Sequence, residues 1–220
     1  MESDPNNADK RSEGAAMRLL LPSMVLVAVF AAGCGSVRYP RTYTLDLAGV
    51  AVAPTRPAAL GALAVRDFSC PDYLSDGRIV YRPTRTEVGY YEYHRWAMTL
   101  RRMVTDSIAG RIRTRGVFGS VDSAQHDADV RYVLSGAIER LEEVDDGRDV
   151  QAVVQLSAQL VDTRTRQTVW RDSAIASEPV SRRDVSGVVG SLSAATQRAI
   201  DALIASLESD GALDSSAARR

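Results

Sequence analysis

Two cysteines, two histidines and a short acidic run are the side chains in this sequence that could carry chemistry. Cys34 stands out because it follows the small residues Ala31, Ala32 and Gly33 at the end of an apolar run. Small side chains leave the backbone accessible to a peptidase, and a thiol is a nucleophile that can be alkylated. The pattern indicates processing and covalent modification at Cys34. The alternative is a cysteine that happens to end an ordinary signal or membrane anchor.

Residues 31–34 resemble the lipobox of bacterial lipoprotein signals. The resemblance implies that the Cys34 thiol takes a diacylglyceryl group, that cleavage falls between Gly33 and Cys34, and that the new amine is then acylated. Two or more acyl chains hold a protein on a membrane where one chain is marginal. Ala31 departs from the pattern, since leucine is usual there. Gly35 stands where an aspartate would favour the inner membrane, so the outer membrane is expected by analogy with enteric bacteria.

The segment before Cys34 has the layout of a signal peptide. Residues 19–37 carry no charge and would just span a bilayer, but the strongly apolar part, Met24–Ala32, has the size of a signal h-region. Met17, which is followed by a basic residue, is predicted to be the initiator. The predicted segments are an untranslated or non-structural extension over 1–16, a lipoprotein signal peptide over 17–33 and a lipidated tether over 34–42.

The composition is that of a globular protein, with 45% hydrophobic and 25% charged residues. The net charge of −1 argues against nucleic acid as the main partner. If Cys34 is lipidated, Cys70 has no cysteine partner within the chain. We interpret Cys70 as a buried residue that acts as a small hydrophobe.

The remaining polar groups do not form a recognisable catalytic or metal site. Neither His94 nor His126 has a second histidine or a cysteine at ligand spacing. Residues 126–129 could touch a metal, but a polar loop is the preferred interpretation. The acidic residues lack the register of a calcium loop and are predicted to form a solvated hairpin tip: Glu142, Glu143, Asp145 and Asp146. No phosphate-binding or nucleophile motif is present, so we predict a protein that is not an enzyme and needs no cofactor.

One aromatic stretch, GYYEYHRW over Gly89–Trp96, could form a surface for a partner. Aromatic side chains with a polar end suit interfaces, although packing where a helix meets a sheet is the preferred explanation. The candidate partner or subunit interface consists of Tyr90, Tyr91, Tyr93 and Trp96. The arginines that follow could face an anionic membrane or partner, or simply a solvated helix face: Arg95, Arg101, Arg102, Arg111, Arg113 and Arg115.

The hydrophobic pattern predicts strands first, then a helix, a strand, a three-stranded meander and a last helix. The first helix contains Trp96 and ends before Gly116, and the second begins at a capping box that opens at Ser181. The predicted strands are Tyr43–Leu47, Leu60–Ser69, Arg78–Pro83, Glu87–Tyr93 and Val117–Val121, followed by three longer strands at Asp129–Val144, Val150–Asp162 and Gln167–Ser177.

These elements predict a single α/β (α+β) domain over 43–207, in which two amphipathic helices pack on one mixed, largely antiparallel sheet. Each helix has one apolar stripe, and an antiparallel meander has one buried face. Residues 208–220 are predicted to form a disordered tail. No internal repeat and no second domain is evident.

The order of these motifs resembles the ABC-type transport auxiliary lipoprotein components, the PqiC/YmbA-like group. The resemblance covers nearly all of the mature chain, and its most specific parts are three. They are Tyr43-Thr44-Leu45, Tyr73-Leu74 before Ile79-Val80-Tyr81-Arg82, and Arg95-Trp96-Ala97. Met98-Thr99 departs from the acidic residue and proline usual in the family.

The resemblance implies a fold similar to the TolB amino-terminal domain and a structural role at the outer membrane, facing the periplasm. The implied partners are an MCE-type substrate-binding protein and an ABC permease and ATPase that move lipids or other hydrophobic molecules across a Gram-negative envelope. A homo-oligomer is left open. Two alternatives remain at this point: an envelope-assembly scaffold unrelated to transport, and a direct lipid carrier with an apolar cavity.

Overall fold

The computed structural model describes residues 39–48, 60–123, 130–145, 147 and 149–209. The chain divides into a unit that ends at Tyr39 and a compact unit from Pro40 to Arg220, and the fold below is that of the second unit. Its strands are β1 Arg41–Tyr43, β2 Leu60–Val65, β3 Arg78–Arg82, β4 Gly89–Trp96, β5 Phe118–Ser123, β6 Tyr132–Asp145, β7 Val150–Asp162 and β8 Gln167–Pro179. Its α-helices are α1 Leu100–Arg115 and α2 Val185–Ser209.

The predicted meander is confirmed as β6, β7 and β8, which pair antiparallel in chain order. Alternate residues of β7 from Val150 to Leu160 are buried, as the period of two requires. Gly147 has a φ of +85° in the turn between β6 and β7, and its backbone N–H donates to the Asp145 carboxylate over 2.8 Å. A glycine is favoured there because other residues rarely adopt a positive φ.

β6 is the central strand of a forked sheet. β7 pairs with one edge of β6 over its whole length, whereas two shorter strands share the other edge. β2 lies parallel to β6 at Tyr132–Leu134, and β3 lies parallel to it at Glu143–Val144. β5 continues the sheet beyond β2, and β4 and then β1 continue it beyond β3. The sheet of the described chain therefore has eight strands and is mixed, with its longest pairings antiparallel.

α1 begins at Leu100, four residues later than the predicted start at Trp96. Trp96 is the last residue of β4, and the Thr99 hydroxyl caps α1 by accepting from the backbone N–H of Arg102. Gly116 ends the helix in the left-handed conformation, with a φ of +68°, as predicted. Trp96 fits the apolar period because it is buried, but its backbone belongs to the strand.

α2 also begins at a different cap from the predicted one. The Asp184 carboxylate accepts a hydrogen bond from the backbone N–H of Gly187 over 2.7 Å, so Asp184 and not Ser181 is the N-cap. The apolar stripe of α2 is buried against β7 and β8. Leu63, Ile138 and Leu156 of the sheet and Ile200 of α2 are fully buried. The prediction of two helices packed on one sheet is confirmed.

The first predicted strand is displaced toward the amino terminus. β1 ends at Tyr43, and the next residues leave the sheet and cross to α2. The backbone N–H of Asp46 donates to the Ser193 hydroxyl over 3.0 Å, and the Gln197 amide donates to the Asp46 carbonyl over 2.6 Å. Leu45 reaches the core from this crossing segment. No helix in the described part of the chain is long and apolar enough to cross a bilayer.

Candidate partner interface

β4 carries the predicted interface and is bent by a bulge. Arg78 and Val80 of β3 lie two residues apart, but the β4 residues opposite them lie five apart. A bulge of this kind bends a strand and changes where its side chains point. Tyr91 and His94 consequently meet edge to face, with their ring centroids 6.0 Å apart.

Tyr91 is tied to a buried carboxylate on β6. Its hydroxyl donates to Oε2 of Glu143 over 2.5 Å, and Glu143 is only 9% exposed. Burial raises the pKa of Glu143 above its usual value, although the hydrogen bond from Tyr91 opposes that shift. Burial and the adjacent Glu143 together raise the pKa of Tyr91, so its hydroxyl remains a donor. The Tyr91 ring also packs against Tyr81 with centroids 5.1 Å apart.

His94 joins β4 to the edge strand β1. Its Nδ1 lies 3.1 Å from the Tyr43 hydroxyl, and the two ring centroids are 5.6 Å apart. The backbone of Arg41 pairs with that of His94 in the same place. Side chains and backbone together therefore attach β1, whose first two residues are the last two of the predicted tether, to the aromatic strand.

The four predicted interface residues differ in exposure. The Arg78 guanidinium covers the half-buried Tyr90 ring at 3.9 Å, in cation–π geometry. Tyr91 is also half-buried, and Tyr93 is 40% exposed. Trp96 is only 7% exposed and belongs to the core. Its prediction as a contact residue is therefore corrected: Trp96 supports the strand from within.

The prediction of a solvated hairpin tip is wrong for Glu142 and Glu143, because β6 continues past both residues. Successive strand residues point to opposite faces, and both faces of β6 are covered here. Glu142 is fully buried, and its Oε1 accepts from the Nε atoms of Arg82 and Arg140, each over 2.8 Å. Two arginines thus compensate one buried carboxylate.

Tyr73 completes the cluster around Glu142. The Arg82 guanidinium lies 5.5 Å from the centre of the Tyr73 ring, and the Tyr73 hydroxyl donates to the Glu139 carbonyl over 3.3 Å. Burial, followed by the charge of Glu142, raises the pKa of Tyr73. Tyr73 and Arg82 belong to the sequence motif on which the family resemblance rests. Their meeting with Glu142 was missed because it joins residues 60 positions apart.

Most arginines of α1 have partners within the fold. Arg111 and Arg115 form ion pairs with Asp201 and Glu208 of α2, and Arg113 donates to the Val121 carbonyl over 2.9 Å. These three hold α1 against its neighbours. Arg111 and Arg115 are half-buried in these ion pairs, so a solvated face does not describe them, whereas Arg113 remains exposed. Arg102 pairs with Asp106 one turn on, while Arg95 and Arg101 are exposed.

Cys70 is half-buried, packs against the core and has its sulfur 3.4 Å from the Ser75 hydroxyl. The packing agrees with its interpretation as a small hydrophobe, but Cys70 is not fully buried as predicted. Cys34 and Gly33, His126 with the rest of 126–129, and the predicted tail from 210 onward lie outside the described residues. The described ranges contain no group of three or more histidine, cysteine or acidic residues that could hold a metal.

Comparison with known proteins gives a family model and similar solved structures. The model described as ABC-type transport auxiliary lipoprotein component matches residues 43–204. The crystal structure of protein XCC0632 from Xanthomonas campestris is 23% identical, covers 80% of this chain and 99% of its own, and superposes with a TM-score of 0.69. A crystal structure of an uncharacterized protein is 14% identical, with coverages of 77% and 99% and a TM-score of 0.61. Both likenesses concern the fold. No curated protein matches the sequence.

Proposed function

The chain belongs to the ABC-type transport auxiliary lipoprotein component family, and we propose that it is a non-catalytic, lipid-anchored component of an ABC/MCE-type system that moves hydrophobic molecules across the cell envelope. The observation that carries the proposal is the family match over 43–204, which runs from the end of β1 into α2. The buried carboxylates support a structural role, since arginines bind Oε1 of Glu142 and Tyr91 binds Glu143.

The proposed anchor is Cys34, acylated after cleavage behind Gly33, in the outer membrane with the domain in the periplasm. The sequence Ala31 to Cys34 and the glycine after it support this position. Cys34→Ser removes the thiol that takes the diacylglyceryl group and should abolish palmitate labelling and membrane retention. Cys70→Ser is the matched control and should leave both unchanged. Palmitate labelling that persists in Cys34→Ser would contradict the anchor.

The proposed contact for an MCE-type partner is the aromatic strand β4, on which Tyr90 and Tyr91, as successive residues, point to opposite faces. Tyr93 is its exposed member, while the Arg78 cation and the bond to Glu143 hold Tyr90 and Tyr91 in place. Exposed aromatic residues on a rigid support are typical of interface anchors. Attachment of β4 to β1 places this contact beside the chain that leads to the anchor.

Site-specific photocrosslinking tests this contact in cells. A photoreactive residue at Tyr93 should crosslink to the MCE-type protein, whereas the same residue at Ile175 should not. Ile175 is a fair control because it is more exposed, at 65%, and lies on β8 at the far end of the sheet. Equal crosslinking from both positions, or crosslinking only to envelope-assembly proteins, would count against the proposed partner.

A further inference from the structure

The distance between the proposed anchor and the fold is short. Seven residue steps separate Cys34 from Arg41, the first residue of β1. An extended chain spans at most ~3.6 Å per residue, so about 25 Å is the longest reach of this tether. This step rests on the acylation of Cys34 proposed above. The edge of the sheet formed by β1 must then remain near the bilayer surface.

The surface around this edge is basic and partly apolar. We define the β1 rim as the exposed side chains of Arg41, Arg95, Met98 and Arg101. The rim surrounds the β1 edge, because Thr42 pairs with Arg95 and the backbone N–H of Ala97 donates to the Tyr43 carbonyl over 2.8 Å. Arg41 precedes Thr42 and therefore lies on the opposite face of the edge from Arg95. Met98 is 45% exposed and is the apolar member of the rim.

The charges of the rim are only partly compensated. Within the described residues no ion pair involves Arg41, Arg95 or Arg101. Asp67 and Asp106 line the same shallow hollow as Met98 and Arg101, and Asp76 lies close enough to Arg95 for their charges to interact. Asp106 already pairs with Arg102, and Asp76 with Arg78. The balance around the entry of the tether is therefore positive.

Helix stability does not explain the position of Arg101. Arg101 and Arg102 lie in the first turn of α1, which contains no acidic residue. The amino end of a helix carries partial positive charge and favours acidic side chains there. Arg102 is explained by its ion pair with Asp106 in the same helix, whereas Arg101 opposes the helix dipole without an ion pair in the described residues, so its presence points to an interaction outside the helix.

We propose that the β1 rim rests on the bilayer surface, with its arginines at lipid phosphates and Met98 at the boundary with the acyl chains. Anionic headgroups attract basic residues close to a membrane. The opposite edge of the sheet, formed by β8, lacks this combination of basic and apolar side chains. β8 has an exposed Ile175, but its Arg171 is hydrogen-bonded to Gln159 and its neighbour is Asp172.

Depth measurements on the acylated full chain test this orientation. Cys70→Ser provides a background free of other thiols once Cys34 is acylated. Met98→Cys and Ile175→Cys are then labelled with a fluorophore and reconstituted in vesicles of phosphatidylethanolamine and phosphatidylglycerol that contain a shallow nitroxide lipid. About five strand spacings of ~4.8 Å separate β1 from β8. The label at 98 should be quenched and the label at 175 should not; equal quenching, or stronger quenching at 175, would overturn the orientation.

Charge variants separate this inference from the proposed anchor. In protein lacking acyl chains, made as Cys34→Ser, sedimentation with the same vesicles measures binding through the rim alone. Arg41→Ser and Arg101→Ser should each weaken that binding about fivefold, whereas Arg171→Ser should leave it unchanged. Equal losses from all three variants, or no binding at all, would overturn the rim. Absence of acylation in wild type would contradict the anchor and leave this second readout intact.

Discussion

Glu142 and Glu143 are neighbours in β6, both are buried, and each is stabilised by a different chemistry. Glu142 is held by the guanidinium groups of Arg82 and Arg140, while Glu143 accepts a hydrogen bond from the neutral hydroxyl of Tyr91. A buried carboxylate without a compensating partner is strongly unfavourable. The two residues therefore link β6 to β3 and β4 on its two faces, and they should respond differently to pH and to mutation.

Glu143 should make stability depend on pH. Its pKa is raised in the folded state by burial, so the folded carboxyl holds its proton more tightly than the unfolded one. That contribution to stability is complete below the unfolded pKa and is lost as pH rises through the folded pKa. Chemical denaturation across this window should show wild type losing stability relative to Glu143→Gln. Tyr91→Phe should move the loss to higher pH, because the Tyr91 hydrogen bond lowers the pKa. Parallel curves for wild type and Glu143→Gln would contradict this assignment.

Glu142 should behave as one half of a buried ion pair. Arg82→Met leaves the carboxylate with Arg140 as its remaining cation and should lower the free energy of unfolding by about 3 kcal/mol. The double variant Arg82→Met/Glu142→Leu removes both charges and should be clearly more stable than the single one. Urea denaturation of the four members of this cycle measures the coupling. Additive losses would mean that the pair does not interact.

At the scale of elements, sequence patterns predicted the meander and both helices because these have long, regular periods. Alternation identified β7 to the residue, and the stripe of α2 identified its buried face. Boundaries set by a single hydrogen bond were missed, as at Asp184 and Thr99. Trp96 satisfied the helical period although its backbone is in β4. The cluster of Tyr73, Arg82 and Glu142 depends on strand pairing, which local spacing does not encode.

The two candidate caps of α2 can be separated by substitution. Asp184→Ala removes the acceptor for the Gly187 N–H and should lower the melting temperature by about 2–4 °C. Ser181→Ala should leave it unchanged, because Asp184 already occupies the capping position. Thermal unfolding followed by circular dichroism measures both. A larger decrease in melting temperature for Ser181→Ala than for Asp184→Ala would instead support the predicted capping box at Ser181.

Gly136 is required where β6 passes under the Phe68 ring. A Cβ at this position would collide with that ring and with the Ser157 carbonyl on β7. Gly136→Ala should cost about 1–3 kcal/mol of stability. The same substitution at Gly110 in α1 meets no neighbouring atom and should raise stability by up to about 1 kcal/mol, since alanine favours a helix. If urea unfolding showed that both substitutions change the free energy of unfolding in the same direction, this account of the packing would be contradicted.

At the scale of the whole molecule, the fork at β6 divides the sheet into two parts with different proposed roles. The meander and α2 form a deep core, whereas the arm of β3, β4 and β1 carries the proposed partner surface and joins the chain to its proposed anchor. The anchor and the β1 rim would hold this arm at the membrane, so a partner docking at Tyr93 would meet the domain at the bilayer surface. Family membership follows from the sequence alone. The position of the arm in the sheet could be found only from the structure.

The most direct test of the proposed function is quantitative co-purification from native membranes. The affinity-tagged, acylated chain is crosslinked in cells, and its partners are compared with those of Cys34→Ser by mass spectrometry. The proposed function predicts that an ABC permease, its ATPase and an MCE-type protein are enriched with the anchored chain and depleted with Cys34→Ser. Recovery of envelope-assembly proteins with none of these transport components would contradict it.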